Sequence, residues 1–286
     1  MRVASVSGVR LATWNVNSVR SRLPRLLPWL DARAPDVLCL QETKLATDAF
    51  DELIRPALNE RGYAVAHHGE GRWNGVAIAS RVGLDDVVTG LLDEPVNPVG
   101  QGPDPEARAV SASCAGLRVS SVYVPNGRTP GDPHYRYKLD WLAALRATVA
   151  AGNPATTVIC GDMNVAPADE DVYDPAAYAL STHVTPPERE ALRALGLHDV
   201  VRERWPGQRI FTYWDYRAGM FHQDRGMRID LVLAGTDVMA RTCAAWVDRQ
   251  ARKGSSPSDH APVIVDLDDA PDGDCGPVVP PPSARR

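Results

Sequence analysis

Asp36-Val37-Leu38-Cys39-Leu40-Gln41-Glu42 is an apolar run that is too short and too apolar for a surface helix. It reads as a buried strand that delivers a carboxylate, Glu42, at its C-terminal end. The same grammar recurs along the chain. Residues 10–15, Arg-Leu-Ala-Thr-Trp-Asn, read as a strand ending in Asn15, and further buried strands are expected at 117–125, 156–164, 229–235 and 260–267. Helical signals lie between them. Leu23, Leu26, Leu27 and Leu30 follow the i, i+3, i+4, i+7 spacing of one helical face. Residues 135–151 also read as a helix, and Thr185-Pro-Pro-Glu188 has capping-box spacing with proline at the first helical position. Pro24 suits a first helical turn, whereas Pro28 costs about 3 kcal/mol inside a regular helix, so a late start or a kink is expected there. The alternation predicts an α/β fold with mixed sheets covered by helices.

The 286 residues, 44% of them hydrophobic, can bury one substantial core. The expected organisation is a flexible N-terminus over 1–9, a single domain over 10–267 and a Pro-rich disordered tail over 268–286. Residues 90–105, rich in Gly, Pro and Asn, read as a long surface loop. No fixed-period repeat is present. The 31 Lys and Arg against 36 Asp and Glu give a net charge of −5, which argues against an indiscriminately basic coat and points to a local basic patch for any nucleic-acid contact. Only Lys44, Lys138 and Lys253 are lysine; arginine, which supplies the rest, suits forked phosphate contacts. Five scattered cysteines without a CxxC pair are a poor disulfide framework and point to a reducing compartment. Cys39, Cys114 and Cys160 read as small core residues. No run approaches the roughly 18 apolar residues of a membrane span, and the start lacks signal-peptide features, so a cytoplasmic protein is expected.

The chemistry sits at strand ends. Trp14-Asn15, Gln41-Glu42, Gly161-Asp162-Met163-Asn164 and Ile229-Asp230 each close a buried strand with a polar or acidic residue, and Ser258-Asp259-His260 stands just before another. Carboxylates are seldom buried unless paired or coordinating a metal, so several converging at strand ends point to a hard-cation site. Each element alone is a common turn or cap; the ordered combination is specific.

Thr13-Trp-Asn-Val-Asn17, Leu40-Gln-Glu-Thr-Lys44, Tyr123-Val-Pro-Asn126, Gly161-Asp-Met-Asn164, Arg228-Ile-Asp-Leu231 and Ser258-Asp-His-Ala-Pro262 together resemble the successive signatures of the exonuclease III family of AP endonucleases. That family lies within the endonuclease/exonuclease/phosphatase superfamily. The resemblance runs from about residue 10 to 267 and implies a DNase I-like, four-layered αββα sandwich of two mixed β-sheets, with the site where the sheets meet at one edge. It implies Glu42 as the principal Mg²⁺ ligand, with Mn²⁺ a substitute, and Asn15 and Asp259 completing the shell. Asp162 would orient or deprotonate the attacking water, or protonate the leaving group. Asn164 would bond the scissile phosphate or the water, Tyr123 would reach the phosphate through its hydroxyl, and His260 would contact it with Asp230 on its other ring nitrogen.

For substrate recognition, Phe211-Thr-Tyr-Trp-Asp-Tyr-Arg217 places rings beside an arginine. The resemblance implies a pocket for an extruded abasic deoxyribose walled by Tyr213, Met227 and Ile229, with Trp214 nearby. Arg217 would enter the duplex groove, while Arg20, Arg22, Asn126 and Arg128 would grip flanking phosphates. Met227 and the Pro-Asn-Gly-Arg turn depart from some members of the family. The implied activity is backbone hydrolysis 5′ to abasic sites in double-stranded DNA, with 3′→5′ exonuclease and 3′-phosphatase or phosphodiesterase activity at blocked 3′ ends, by a monomer. Two alternatives are a superfamily phosphoesterase acting on RNA, phosphoinositide or sphingomyelin, and a non-catalytic nucleic-acid-binding relative. The block 211–228 argues against the first. The complete set of seven polar residues, Asn15, Glu42, Asp162, Asn164, Asp230, Asp259 and His260, argues against the second.

Overall fold

The computed structural model describes residues 8–100, 102–273 and 276–278. It contains two six-stranded sheets. The first is built from β1 (Val9–Asn15), β2 (Val37–Gln41), β3 (Ala64–His68), β4 (Val76–Ser80), β11 (Thr242–Val247) and β12 (Val263–Leu267), in the order β11-β12-β1-β2-β4-β3. The second is built from β5 (Asp85–Thr89), β6 (Ala109–Cys114), β7 (Leu117–Tyr123), β8 (Thr157–Asp162), β9 (His198–Asp199) and β10 (Asp230–Ala234), in the order β5-β6-β7-β8-β10-β9. Each sheet has a parallel pair at its centre, β1 with β2 and β7 with β8, flanked by antiparallel neighbours, so both are mixed as expected.

Strand alternation explains the layers. On β1, Val9 and Leu11 face the second sheet, where they join Cys39, Ile78, Val119, Val158, Cys160, Val232 and Val265 in one core. Ala12 and Trp14 point the other way and pack under α1 (Val19–Arg33), α2 (Thr47–Leu53) and α3 (Arg55–Asn59) through Leu26, Trp29, Leu30, Phe50, Ile54 and Leu58. The outer face of the second sheet buries Val122, Ile159, Leu231 and Leu233 against Tyr137, Trp141 and Leu145 of α4 (Pro133–Ala151) and Leu192 of α5 (Pro186–Arg193). Helix, sheet, sheet and helix therefore stack in four layers. Two short helices, α6 (Val200–Arg204) and α7 (Thr236–Arg241), flank β9 and β11. The expected core cysteines Cys39, Cys114 and Cys160 are buried and unpaired.

α1 starts at Val19, with no late start at its prolines. Pro24 and Pro28 are both exposed and stand four residues apart, so the two lost backbone donors fall on the solvent side of the helix. Leu26, Trp29 and Leu30 hold the opposite, buried face. The capping box at Thr185 and Glu188 forms as the spacing predicts, and residues 90–105 carry neither helix nor strand among those described. The expected flexible N-terminus lies outside the described residues over 1–7, and β1 already begins at Val9. The stretch expected to be a free tail departs from that reading in its described part: Asp268 pairs with Arg241, Asp272 with Arg10, and Val247 N donates to Pro277 O at 2.9 Å. Residues 274–275 and 279–286 lie outside the described residues.

Candidate active site

Strand register assembles the site. Tyr123 stands opposite Asp162 across the parallel β7/β8 pair, and Asp162 stands opposite Asp230 across the antiparallel β8/β10 pair. Residues facing each other across a ladder share a sheet face, so three functional groups align on one rung. Gly161 lets this rung close: a Cβ there would stand 1.9 Å from Val122 O, and its φ of 153° lies where L side chains are strained. In the first sheet β1 and β2 run parallel and end together at Asn15 and Gln41, placing Glu42 beside Asn15. β12 runs antiparallel to β1, so His260, three residues before it, arrives at the same edge. Glu42, Lys44 and Asn164 all adopt the left-handed region, with φ of 51°, 54° and 49°. Such backbone strain concentrates where the surrounding structure imposes a side-chain direction.

At the centre, ligand atoms of Glu42, Asp162 and His260 lie within 4.8 Å of one another. His260 Nδ1 donates to Asp230 Oδ2 at 2.8 Å, and its Nε2 lies 3.8 Å from Asp162 Oδ2. Burial works against a charged imidazole, but the Asp230 carboxylate, helped by Asp162 and Asp259, raises its pKa to about 10. Burial pushes the Asp162 carboxyl up to about 7, with His260 opposing and Asp230 adding repulsion. Asp162 is fixed from both sides: Asn164 N donates to Oδ1 at 2.9 Å and Asn15 Nδ2 to Oδ2 at 2.9 Å. Burial opposes ionisation of Glu42, yet Lys44, whose Nζ lies 2.7 Å from Oε2, holds its carboxyl below the usual range. Burial raises the Tyr123 hydroxyl well above its ordinary value, and its neighbour Glu42 adds to this, so Tyr123 stays a neutral donor.

Asn15 does something other than expected. Its Nδ2 donates to Glu42 Oε1 at 2.8 Å and to Asp162, while its Oδ1 accepts from Asn17 N at 3.0 Å. A backbone N–H can only donate, so the amide orientation is fixed and the carbonyl oxygen faces away from the cluster. Asn15 therefore orients two carboxylates through its Nδ2, while its Oδ1 is engaged by Asn17 N. Asp259 stands outside the inner cluster and accepts from Asn17 Nδ2 at 3.0 Å. The desolvated carboxylates of Glu42 and Asp162 are hard oxygen donors, which fits a divalent cation.

A cleft of about 470 Å³ opens over this cluster. Tyr213, Met227 and Ile229 line it, with Asn126, Arg128 and Arg217 at its mouth. Tyr213 packs its ring 4.8 Å from that of His260. Trp214, expected near the substrate, is instead a core residue: it is 1% exposed and stacks edge-on with Phe211 and Phe221. Alternation along an extended segment explains this, because Tyr213 faces the cleft and its neighbour must face inward. Arg217 is exposed and doubly bonded to Asp215, Arg22 donates to the Tyr216 hydroxyl at 3.2 Å, and Arg20 is exposed on α1. Residue-by-residue reading passed over Asn17, Lys44, Ser258 and His183. Asn17, Lys44 and Ser258 lie within the quoted motifs and were recoverable from them; His183 lies in none. Ser258 Oγ donates to Asn15 O at 2.7 Å and His183 reaches Asn164 O at 2.5 Å; neither contact has a local signature.

A pair of stacked mixed sheets with acidic strand ends converging at one edge defines a phosphoester hydrolase centre. The chain belongs to the endonuclease/exonuclease/phosphatase family, whose model matches residues 12–260. Within it the chain is exonuclease III-like. It is 36% identical to a 3′ phosphatase, NExo, from Neisseria bound to product DNA hairpin, with a TM-score of 0.84 over 91% of this chain and 99% of that one. It is 35% identical to an AP endonuclease from Archaeoglobus fulgidus, with a TM-score of 0.83 over 91% and 100%. It is also 29% identical to the DNA repair nuclease APEX1 of Danio rerio over 91% of this chain and 83% of that protein. The family is metal-dependent.

Proposed function

We propose that this nuclease cleaves the backbone of double-stranded DNA 5′ to abasic sites, using Mg²⁺ with Mn²⁺ as a substitute. The same centre would trim or dephosphorylate blocked 3′ ends. The observation that carries the reading is the convergence of Tyr123, Asp162, Asp230 and His260 beside Glu42 at the floor of a cleft walled by Tyr213, Met227 and Ile229. Among the described residues no helix is long and apolar enough to cross a membrane. A cytoplasmic monomer working at the nucleoid is the setting we infer from a DNA substrate.

The geometry supports the following division of labour. His260, held protonated by Asp230, offers positive charge and an N–H to a phosphoryl oxygen. Tyr123, neutral and fixed beside Glu42, donates to the same group. Asp162 has a pKa of about 7 and sits among donors that fix its direction, which suits proton transfer near neutrality, with the attacking water or the leaving oxygen as its partner. Asn164, anchored by its Nδ2 to Val124 O at 2.8 Å, holds its amide beside that carboxylate without adding charge. Glu42 would be the principal holder of the ion, with Asn15 aligning its carboxylate and Asp259, which lines the same cleft outside the inner cluster, completing the shell; when bound, the ion supplies Lewis-acid stabilisation of phosphoryl charge. The flat rings and apolar walls suit a sugar that lacks a base, because extruding such a residue forfeits no stacking or pairing.

A second reading, in which 3′ ends are the principal substrate, is supported by the resemblance to a 3′ phosphatase seen with its DNA product. One experiment separates the two: rates on abasic duplex, 3′-phosphate duplex and recessed-end duplex, side by side with Mg²⁺. The first reading expects fastest incision at the abasic site, and the second expects fastest release of phosphate. Chelation should abolish every activity, and Glu42→Ala and His260→Ala should each lower the rate by about 10³-fold or more. Intact substrates throughout would refute both readings.

A further inference from the structure

Lys138 is a fully buried lysine in the second turn of α4, outside every motif of the site. Its ammonium pairs with Glu188, itself fully buried, and also donates to Asn164 O at 2.7 Å, Asn126 O at 3.2 Å and Thr182 Oγ1 at 3.1 Å. The two carbonyls belong to the two asparagines whose side chains face the cleft, and those side chains are themselves 3.3 Å apart. Glu188 answers from the other side: its Oε1 accepts from His183 N at 2.9 Å, and the single hydroxyl proton of Thr182 is shared between two acceptors in reach, Glu188 Oε1 at 2.6 Å and Asn126 O at 2.8 Å. One buried ion pair therefore ties together three separate loops, at residues 126, 164 and 182–183.

We propose that the Lys138–Glu188 pair is a positioning device that fixes Asn126, Asn164 and His183 as one rigid wall of the catalytic cleft. A buried ion pair is a weak source of stability, since desolvation cancels much of its attraction, so this one needs another reason to be there. The local backbone supplies that reason. Asn164 is held at φ 49°, a conformation an L residue leaves unless its surroundings impose it, and its carbonyl is gripped by both Lys138 and His183 Nδ1. Gly127, at φ 91°, lets the chain lie directly on the clamp: a Cβ there would come within 2.6 Å of Thr182 Oγ1 and 2.9 Å of Lys138 Cδ. An ammonium's three rotatable donors match two carbonyls and a carboxylate set in different directions, with the Thr182 hydroxyl close beside them, which a planar guanidinium does not. The capping-box spacing of Thr185 and Glu188 thus has a second use: the glutamate that caps α5 also orients Lys138.

The inference rests on the nuclease reading given above, and its test carries a readout that does not. The variant is Lys138→Met combined with Glu188→Gln, which leaves no unpaired buried charge and keeps an N3 side chain able to complete the capping box. Hydrogen exchange of the intact protein should show faster exchange at residues 124–128 and 163–166, with protection of the sheet cores unchanged. Steady-state cleavage of 3′-phosphate and abasic duplexes, run well below the melting temperature, should show kcat lower by about 10 to 100-fold with KM within about threefold, because a wall displaced by an ångström misplaces groups that act in the transition state. Unchanged exchange in those segments overturns the proposal whether or not the protein cuts DNA. Unchanged kcat with an active wild-type control also overturns it. An inactive wild type counts against the nuclease reading alone and leaves the exchange result to decide the positioning role. If the double variant does not fold, Thr182→Val, which removes one link of the clamp, is subjected to the same two measurements and must reproduce both effects in weaker form; failure to do so overturns the proposal.

Discussion

His260 shows how much one hydrogen bond decides. Its Nδ1 is bonded to Asp230 Oδ2 at 2.8 Å in a buried setting, and that contact sustains the raised pKa of about 10. Replacing Asp230 by Asn keeps a similar shape and an acceptor but removes the charge. We expect single-turnover cleavage to slow by about 10 to 100-fold while circular dichroism stays native, the range seen when a carboxylate behind a working histidine is lost. A rate within twofold of wild type would show that the pairing is incidental. At this scale the sequence was most informative about charge-bearing side chains, because Glu42, Asp162, Asp230, Asp259 and His260 sit in local patterns. It was least informative about direction. Asn15 carries the right chemistry but turns its NH₂ inward, and Trp214 sits next to Tyr213 yet points into the core. Orientation depends on partners such as Asn17 N and Phe221, which adjacency in sequence does not specify.

Among elements, the approach of β7 to β8 is the most constrained. A methyl group at 161 meets Val122 O, a backbone atom that cannot move without opening the rung that aligns Tyr123 with Asp162. Gly161→Ala should therefore cost about 3 kcal/mol or more in urea denaturation, at the upper end of overpacking penalties, and activity should fall further than stability. A wild-type midpoint in urea is incompatible with that geometry. The turn after β2 carries a pH-dependent support. His67 of β3 stacks on Phe50 at 4.0 Å, and its Nε2 lies 2.9 Å from Thr43 Oγ1, next to Glu42. Burial lowers its pKa to about 4, so the folded state binds this proton less readily than the unfolded chain does. Its contribution is present above about pH 6.5 and is lost as pH falls toward 4, amounting to about 2 kcal/mol between pH 7 and 5. Urea titrations at the two pH values should show that difference shrinking in His67→Gln; an equal loss in the variant would move the effect elsewhere. Buried strands and capped helices were readable because their periodicity is local. β3, β4, β5, β6, β9 and β11 were not singled out, since short strands gain their stability from neighbours that arrive later in the chain.

For the molecule as a whole, an acidic chain must bind a polyanion through a limited patch. Arg128 and Arg217 line the cleft, Arg22 donates to the Tyr216 hydroxyl, Arg20 is exposed on α1, and Arg217 is exposed with Asp215 as its counter-ion. Affinity for an uncleaved duplex, measured without catalysis in a chelator, should fall with salt at a log–log slope of about −2 to −4, fewer contacts than a fully basic coat would give. Arg128→Ala should bring the slope about 0.9 closer to zero without changing which lesion is preferred. A slope near zero would mean that the arginines do not meet phosphates. The amino-acid sequence by itself determined six of the strands, the capped helix, the acidic strand ends and the mixed α/β class, because periodicity, caps and motif chemistry are written over a few consecutive residues; the four-layered arrangement was implied only by the family its motifs resemble. Only the tertiary structure decided that Asn15 aligns carboxylates, that Trp214 belongs to the core, and that Lys138 reaches across to Asn126, Asn164 and Glu188. Those outcomes depend on which surfaces pack together, and burial acts on groups brought near in space from distances along the chain that no local pattern encodes.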